Sequence, residues 1–263
     1  MEKKDIVIYL PVFNSFHNLD EIFYSFKLLN LNVIKIIIID NASNTPKNEK
    51  ITIIKNLKKK YLYEIIFLLN EENYGIGGSK KILYKTLENL KFDFFCSILT
   101  SKRFDISELV FTMNREIQHK FDYLIFSRFL NYKNTKNYSL LRRVGNYFFI
   151  YLTKFLTNCE LTDPGSIIYI KNRKCFDLIK DLNISNLTNG SHFGHFLNIL
   201  ISQLKKNIII KEVEINWREG NIKSHVNGIE YSVILFLSLF KYFFTKKFFK
   251  PQKKKFKFEK LIF

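Results

Sequence analysis

Three features are scarce in this 263-residue chain. Cysteine is the first: Cys96, Cys159 and Cys175 are far apart, odd in number and without CxxC spacing. That argues against a disulfide framework and against a zinc site. Cys96 and Cys175 lie in apolar contexts and read as core thiols. Long apolar runs are the second. None reaches 18 residues, so no membrane-spanning helix is predicted. Met1-Glu2-Lys3-Lys4-Asp5 leads into an apolar run too short for a signal peptide, and the expected location is the cytoplasm. Acids are the third, 24 Asp and Glu against 42 Lys and Arg, for a net charge of +18. This excess calls for an anionic partner: nucleic acid, an anionic membrane, or phosphorylated ligands. No nucleic-acid module accompanies it, so nucleic acid is not expected.

What is present is enough for a full core. Hydrophobic residues make up 47% of the chain, which excludes wholesale disorder. The length admits one large α/β domain, with or without an appendage. Apolar runs at 5–12, 33–39, 64–69, 92–99 and 121–126 alternate with helical spacing over 16–29, 47–61, 79–90 and 106–119. That alternation predicts right-handed crossovers and a mostly parallel central sheet flanked by helices. A polar loop, 128–140, reads as mobile and placed to cover a site. A long helix follows over 141–157, opening with Arg142 and Arg143. Then come a strand at 167–170, helices near 173–181 and 192–204, and a half-exposed strand at 208–215.

The central stretch is Ile36-Ile37-Ile38-Ile39-Asp40-Asn41-Ala42-Ser43. Its β-branched run reads as a parallel strand buried on both faces. Its polar end falls at the carboxyl end of that strand, where open α/β sheets bind ligands. Asp40 there either caps the turn or faces a ligand. The first strand ends likewise in Pro11-Val12-Phe13-Asn14. The loop Asn73-Tyr74-Gly75-Ile76-Gly77-Gly78 precedes a helix whose N-terminus would face a phosphate, unless its glycines only build a tight turn. Its spacing is not GxGxxG, so a dinucleotide fold is a poor match.

The last segment is distinct. Residues 241–263 hold nine lysines against one glutamate, so +8 of the net charge, interleaved with eight aromatics. Val233 to Phe240 is almost wholly apolar. Together they suit a C-terminal amphipathic helix lying on an anionic membrane surface; a core-packed helix with a solvated basic end is the plainer alternative. The expected division is 1–226 as the α/β domain and 227–263 as a basic, aromatic helical tail.

In order, these motifs resemble family 2 glycosyltransferases of the GT-A fold, over roughly residues 5–226. Ile8 to Asn14 is similar to the family's opening strand and turn. Ile38 to Ser43 is similar to its aspartate motif, and Asn73 to Ser79 to its glycine loop. The second half looks most like the polyprenyl-phosphate branch, the dolichyl-phosphate mannose synthase type. Its segments correspond to Arg143-Val144-Gly145-Asn146, Leu161-Thr162-Asp163-Pro164-Gly165-Ser166, and Glu212 to Arg218 followed by Ser224-His225. The resemblance implies sugar transfer, with inversion, from a nucleotide-sugar to a membrane-linked acceptor, a polyprenyl phosphate or lipid-linked glycan, in cell-envelope polysaccharide synthesis. It implies peripheral attachment at the inner face of the membrane. Donor contacts would come from Pro11, Phe13, Asn14, Asp40 (on the nucleobase), Asn41, Asn73, Gly75, Gly77, Thr100, Arg143, Arg218 and His225.

One departure bears on cofactors. Where the family carries two metal-binding acids after its fourth strand, this chain has Leu99-Thr100-Ser101-Lys102. A hard divalent cation wants carboxylate oxygens, so no metal ligand is assigned and the cofactor stays open. Lys102 and Arg103 would supply fixed positive charge to the leaving diphosphate, unless they are plain surface cations. A second departure is Tyr169 at the position of a family arginine. A phosphate acceptor arrives ionised and needs no strong base. A hydroxyl acceptor does, and Asp105, Asp163, His192 and His195 are the candidates. Of these, Asp163 is taken as catalytic, beside Lys102 and Arg103. The alternative is a non-catalytic relative that binds nucleotide-sugar or a partner transferase at the membrane.

Overall fold

A computed structural model describes residues 3–28, 31–131, 138–218, 227–249 and 255–263. Among these, the first half alternates strand and helix: β1 (Ile6–Val12), α1 (Leu19–Leu28), β2 (Val33–Asp40), α2 (Lys47–Tyr61), β3 (Ile65–Asn70), α3 (Gly75–Leu87), β4 (Phe94–Ser97) and α4 (Ile106–Glu116). The second half holds β5 (Tyr123–Ser127), α5 (Leu140–Thr157), β6 (Tyr169–Asn172), α6 (Arg173–Lys180), α7 (Phe193–Ser202), β7 (Ile210–Glu214), α8 (Gly228–Thr245) and β8 (Phe258–Ile262). The strands form one sheet in the order β7-β5-β6-β4-β1-β2-β3-β8. β1, β2, β3 and β4 run parallel, as do β5 and β7. β6 is antiparallel to both its neighbours, and β8 is antiparallel to β3.

Strand periodicity divides the core. Ile6, Ile8, Leu10, Ile36 and Ile38 face α1, α2 and α4, whereas Val7, Tyr9, Ile37 and Ile39 face α3, α6 and α7. Successive side chains of a strand point to opposite faces. The all-apolar run at 36–39 is therefore explained by helices on both sides, as expected for a parallel sheet. Each fully buried isoleucine contributes about 1.5–3 kcal/mol. Register aligns the strand ends: Val12 lies beside Asp40, and Tyr9 beside Ser97. The polar residues that follow β1, β2 and β4 therefore emerge along one rim.

Two expectations need correction. The glycine loop is not outside the helix, since α3 begins at Gly75 rather than Ser79. The C-terminal segment is not helical throughout, because β8 joins the sheet along the β3 edge. Its docking satisfies backbone groups that an open edge would leave unpaired, and Lys47 pairs with Glu259 across it at 2.6 Å.

Below the sheet lies a cluster of buried lysines and tyrosines. Lys171 is fully buried on β6 and donates to Tyr84 Oη at 2.8 Å. Its ammonium lies 4.2 Å from the Tyr169 ring centroid and 4.7 Å from that of Tyr123. Lys80, also buried, lies 4.6 Å over the same Tyr169 ring. Ring faces partly offset a buried cation, but desolvation dominates. It lowers the Lys171 pKa to about 7 and that of Lys80 well below the ordinary lysine value. A depressed lysine pKa costs stability in full below the folded value. The cost is relieved as pH rises from about 7 toward the lysine value of 10.5. Above about 10, buried tyrosines whose pKa values are raised, Tyr9 and Tyr84 among them, oppose that gain. Denaturant unfolding at a series of pH values should show stability rising between pH 7 and 10, with a shallower slope in Lys171→Met. A flat profile, or an unchanged slope in the variant, would contradict the buried-lysine account.

Candidate functional site

The rim at the carboxyl ends of β1, β2 and β3 is tied by side chains. Asp40 is fully buried. Its Oδ1 accepts from the Ser43 backbone N–H at 3.1 Å and from the Ser43 hydroxyl, while its Oδ2 pairs with Lys50 Nζ at 2.7 Å. Ser43 Oγ in turn accepts the Asn14 N–H at 2.8 Å, and Asn14 Oδ1 accepts the Asn44 N–H at 2.8 Å. Asn14 and Ala42 sit at positive φ, 55° and 60°, a backbone state that non-glycine residues adopt when contacts such as these impose it. The second tie is an asparagine network. Asn41 donates to Asn73 Oδ1 at 2.6 Å and accepts from Asn70 at 3.1 Å and from the Tyr74 N–H at 2.9 Å.

The C-terminal strand reaches this network. The Lys257 N–H donates to Tyr74 Oη at 2.8 Å, and Tyr74 Oη donates to the Lys257 carbonyl at 3.1 Å. Phe256 packs edge-on against Tyr74 with centroids 5.0 Å apart. The tail therefore braces the glycine loop.

Several residues expected on the donor side turn inward in this geometry. Asp40 is fully buried, and both its carboxylate oxygens are engaged by Ser43 and Lys50. The α3 N-terminus turns inward too. Gly77 and Gly78 N–H donate to the Asn189 carbonyl at 2.8 and 3.1 Å, and the Gly75 N–H donates to Asn73 Oδ1 at 2.9 Å. Gly75 has φ 71°, and a Cβ there would fall 2.5 Å from the Asn189 carbonyl oxygen. The glycines Gly75 and Gly77 thus allow close packing on residues 188–193. Thr100, too, is internal. Its hydroxyl donates to the Pro11 carbonyl at 2.6 Å, lies 2.6 Å from Ser15 Oγ, and so joins β4 to β1. Asn14 and Asn73 remain exposed, and Pro11 and Phe13 are half-buried beside them. A cavity of about 390 Å³ opens between α1 and α2. Of the expected site residues it touches only Asn14, and Asp20 and Glu49 in its wall suit no diphosphate.

The opposite side of the rim is cationic and centred on Trp217. Phe104 stacks on the Trp217 ring at 6.0 Å. The Arg103 and Arg128 guanidinium carbons lie 5.9 and 5.4 Å from its centroid. The Arg218 N–H donates to the Arg103 carbonyl at 2.6 Å, which places Arg218 beside the 101–104 loop. Lys102 and Arg218 are exposed, and Lys102 has no ion-pair partner among the described residues. Arg143 lies half-buried in the first turn of α5. His225 lies outside the described residues.

Each of the proposed bases makes contacts within the protein. Asp163 is buried and takes Arg128 as a two-point partner, Nε–Oδ2 2.7 Å and Nη2–Oδ1 2.8 Å, with the Arg128 N–H also donating at 3.1 Å. Burial opposes the Arg128 charge, but Asp163 in contact outweighs it and raises the guanidinium pKa. Asp163 is therefore engaged as the counter-ion of Arg128, whereas the sequence offers it as a candidate base. Asp105 N-caps α4, accepting from the Ser107 and Glu108 N–H groups. Burial lowers the His195 pKa to about 3, with His192 and Arg128 adding to the effect, and its Nε2 lies 2.9 Å from Thr153 Oγ1. His192 stacks on Tyr231 at 4.0 Å, and burial lowers its pKa too.

The residues do not fit a divalent cation at the acidic-motif position. Thr100 offers a hydroxyl already bonded and Lys102 an ammonium, and no group of three His, Cys, Asp or Glu among the described residues is placed to hold a metal. Sequence reasoning missed Arg128. It immediately follows β5, so the strand-end rule that found Asn14 and Asp40 would have found it, but it fell within a segment read as a polar loop.

No protein-family model matches the sequence, and no curated protein matches it. Solved structures do. Glucosyl-3-phosphoglycerate synthase from Mycobacterium tuberculosis in complex with UDP superposes with a TM-score of 0.56 at 15% identity, over 91% of this chain and 80% of that one. Its complex with Mn2+, UDP and glucosyl-3-phosphoglycerate gives 0.56 at 12% identity, over 98% and 87%. The complex with Mn2+, UDP-glucose and phosphoglyceric acid gives 0.53 at 13%, over 92% and 79%. This likeness establishes the GT-A fold for the chain.

If Asp163 serves Arg128, Asp163→Asn leaves a half-buried guanidinium without its counter-charge. Breaking a fully buried pair costs about 3–5 kcal/mol, so denaturant unfolding should show a clear loss below that range. Wild-type stability in the variant would return Asp163 to the list of candidate bases.

Proposed function

We propose that the chain is a glycosyltransferase that moves a sugar, with inversion, from a nucleotide-sugar to a membrane-linked acceptor, a polyprenyl phosphate or phosphate-bearing lipid, at the inner face of the membrane. The GT-A fold supports nucleotide-sugar chemistry, and the comparison proteins were crystallised with UDP and UDP-glucose. The observation that carries the finer reading is the rim's charge arrangement. Lys102, Arg103 and Arg218 gather where the fold family has acids, and Asp163, Asp105, His192 and His195 are all committed elsewhere.

The chemistry follows from that arrangement. An ionised acceptor oxygen attacks the anomeric carbon in line with the diphosphate. The old glycosidic bond breaks, and its electron pair leaves on the diphosphate. No proton has to be removed from a phosphate acceptor, so a missing base is no obstacle. The charge developing on the leaving group has to be met by fixed cations, and Lys102 and Arg218 are exposed to do so. Asn14 and Asn73 have exposed amides that suit a nucleobase.

A second reading is favoured by the same committed acids: a non-catalytic GT-A protein that binds a nucleotide-sugar or a partner transferase. Turnover separates the two. Given a panel of nucleotide-sugars and polyprenyl phosphate, the protein should release nucleoside diphosphate and form lipid-linked sugar. Lys102→Ala should lower kcat by roughly 10²-fold, in the range found for losing one fixed donor to a developing charge. Nucleotide binding without turnover on any donor would establish the non-catalytic reading instead.

A further inference from the structure

α5 and α8 pack against each other and bury only part of their apolar surface. α5 is anchored by Thr153, Leu156 and Thr157, and α8 by Leu235, Ser238, Leu239 and Tyr242. Their outer faces are apolar too. On α5, Leu141, Val144, Phe148, Tyr151 and Phe155 are 84, 57, 51, 68 and 78% exposed. Their spacing alternates three and four residues, which places them on one stripe. On α8, Ile229, Val233, Phe236, Phe240 and Phe244 are three or four residues apart, again on one stripe, and Ile229 and Phe244 are 79 and 77% exposed. Large contiguous apolar patches of this kind mark interaction surfaces on soluble domains.

Charge selects the partner. α5 contains no acid, and α8 contains one, Glu230. Around the stripes stand Arg142, Lys154, Lys246 and Lys247, all exposed, with Lys241 over the Phe249 ring at 4.0 Å. Aromatic rings mixed with cations suit the headgroup level of an anionic bilayer. A second copy of the same basic face would be repelled.

The middle of α5 and the first turn of α8 lie near the Arg128 side of the rim. Phe129, next to Arg128, packs on Tyr147 of α5 at 5.7 Å. Tyr231 in the first turn of α8 feels the charges of Arg128 and Asp163. We propose that the joint outer face of α5 and α8, not the C-terminal tail alone, is a docking surface for an anionic lipid bilayer, and that it brings the membrane to the Arg128 end of the rim. This rests on the membrane-linked acceptor of the proposed function and adds to it the surface that reaches that acceptor.

The test uses the full chain, co-sedimented with neutral phosphatidylcholine vesicles and with vesicles that also contain phosphatidylglycerol. Binding should require the anionic lipid and weaken with salt. Tyr151→Ser with Phe155→Ser on α5, and separately Ile229→Ser with Phe244→Ser on α8, should each lower partitioning roughly tenfold or more, as expected for withdrawing two large apolar side chains from lipid. These positions are exposed, so circular dichroism should be unchanged. Wild-type partitioning in the α5 variant overturns the joint face. So does equal binding to neutral vesicles, or a light-scattering dimer of the wild type that the variants dissolve. UDP binding, measured in parallel, keeps the two ideas separate. Vesicle binding lost with UDP binding intact is the result expected of the variants. A wild-type protein that docks on vesicles but binds no UDP and transfers no sugar retains the docking face and loses the transferase reading.

Discussion

The rim at the carboxyl ends of β1 and β2 depends on one buried ion pair, Asp40 with Lys50. Two charges removed from water hold together only with good geometry and further hydrogen bonds, and both are present. Ser43 gives Asp40 its backbone N–H and its hydroxyl, and Lys50 also donates to the Ser43 carbonyl at 2.8 Å. The same serine then receives Asn14 from the end of β1. Two loops with residues at positive φ are thereby locked together at the carboxyl ends of adjacent strands. The asparagine network carries the lock to β3 and Tyr74, and the C-terminal strand closes it from the other side.

Across the rim the organisation is different. Trp217 gathers Phe104, Arg103 and Arg128, and Arg128 is neutralised by Asp163. Lys102 and Arg218 are exposed and have no such counter-ion in contact among the described residues. Under the proposed function, a nucleotide-sugar would set its polar ring against the first half and its diphosphate against the second. α5 approaches the Arg128 end through Phe129, which packs on Tyr147.

The fold was legible because its signals are local. The run Ile36 to Ile39 needs helices on both faces and has them, and the spacing of Ile54 and Leu57 in α2 needs one buried stripe and has it. β8 was not legible. Phe258 to Ile262 is mostly exposed, and its place depends on a long-range pairing with β3 that no local pattern encodes. The site was legible in position but less so in role. Asp40 ends β2, Thr100 follows β4, Gly77 lies in the first turn of α3, and Asp163 precedes β6. Their polar groups are nevertheless taken by Lys50, the Pro11 carbonyl, Asn189 and Arg128, partners 10, 89, 112 and 35 residues away in sequence. A motif identifies the residue type at a strand end. It does not say whether that residue turns to a ligand or to the protein.

The central claim is that fixed cations at Lys102 and Arg218 do the work of a metal on the diphosphate. Calorimetric titration of UDP into chelator-treated protein tests it most directly. The account predicts binding without added metal, weakened in Lys102→Ala and little changed when Mn2+ is supplied. Binding that appears only after Mn2+ is added would contradict it.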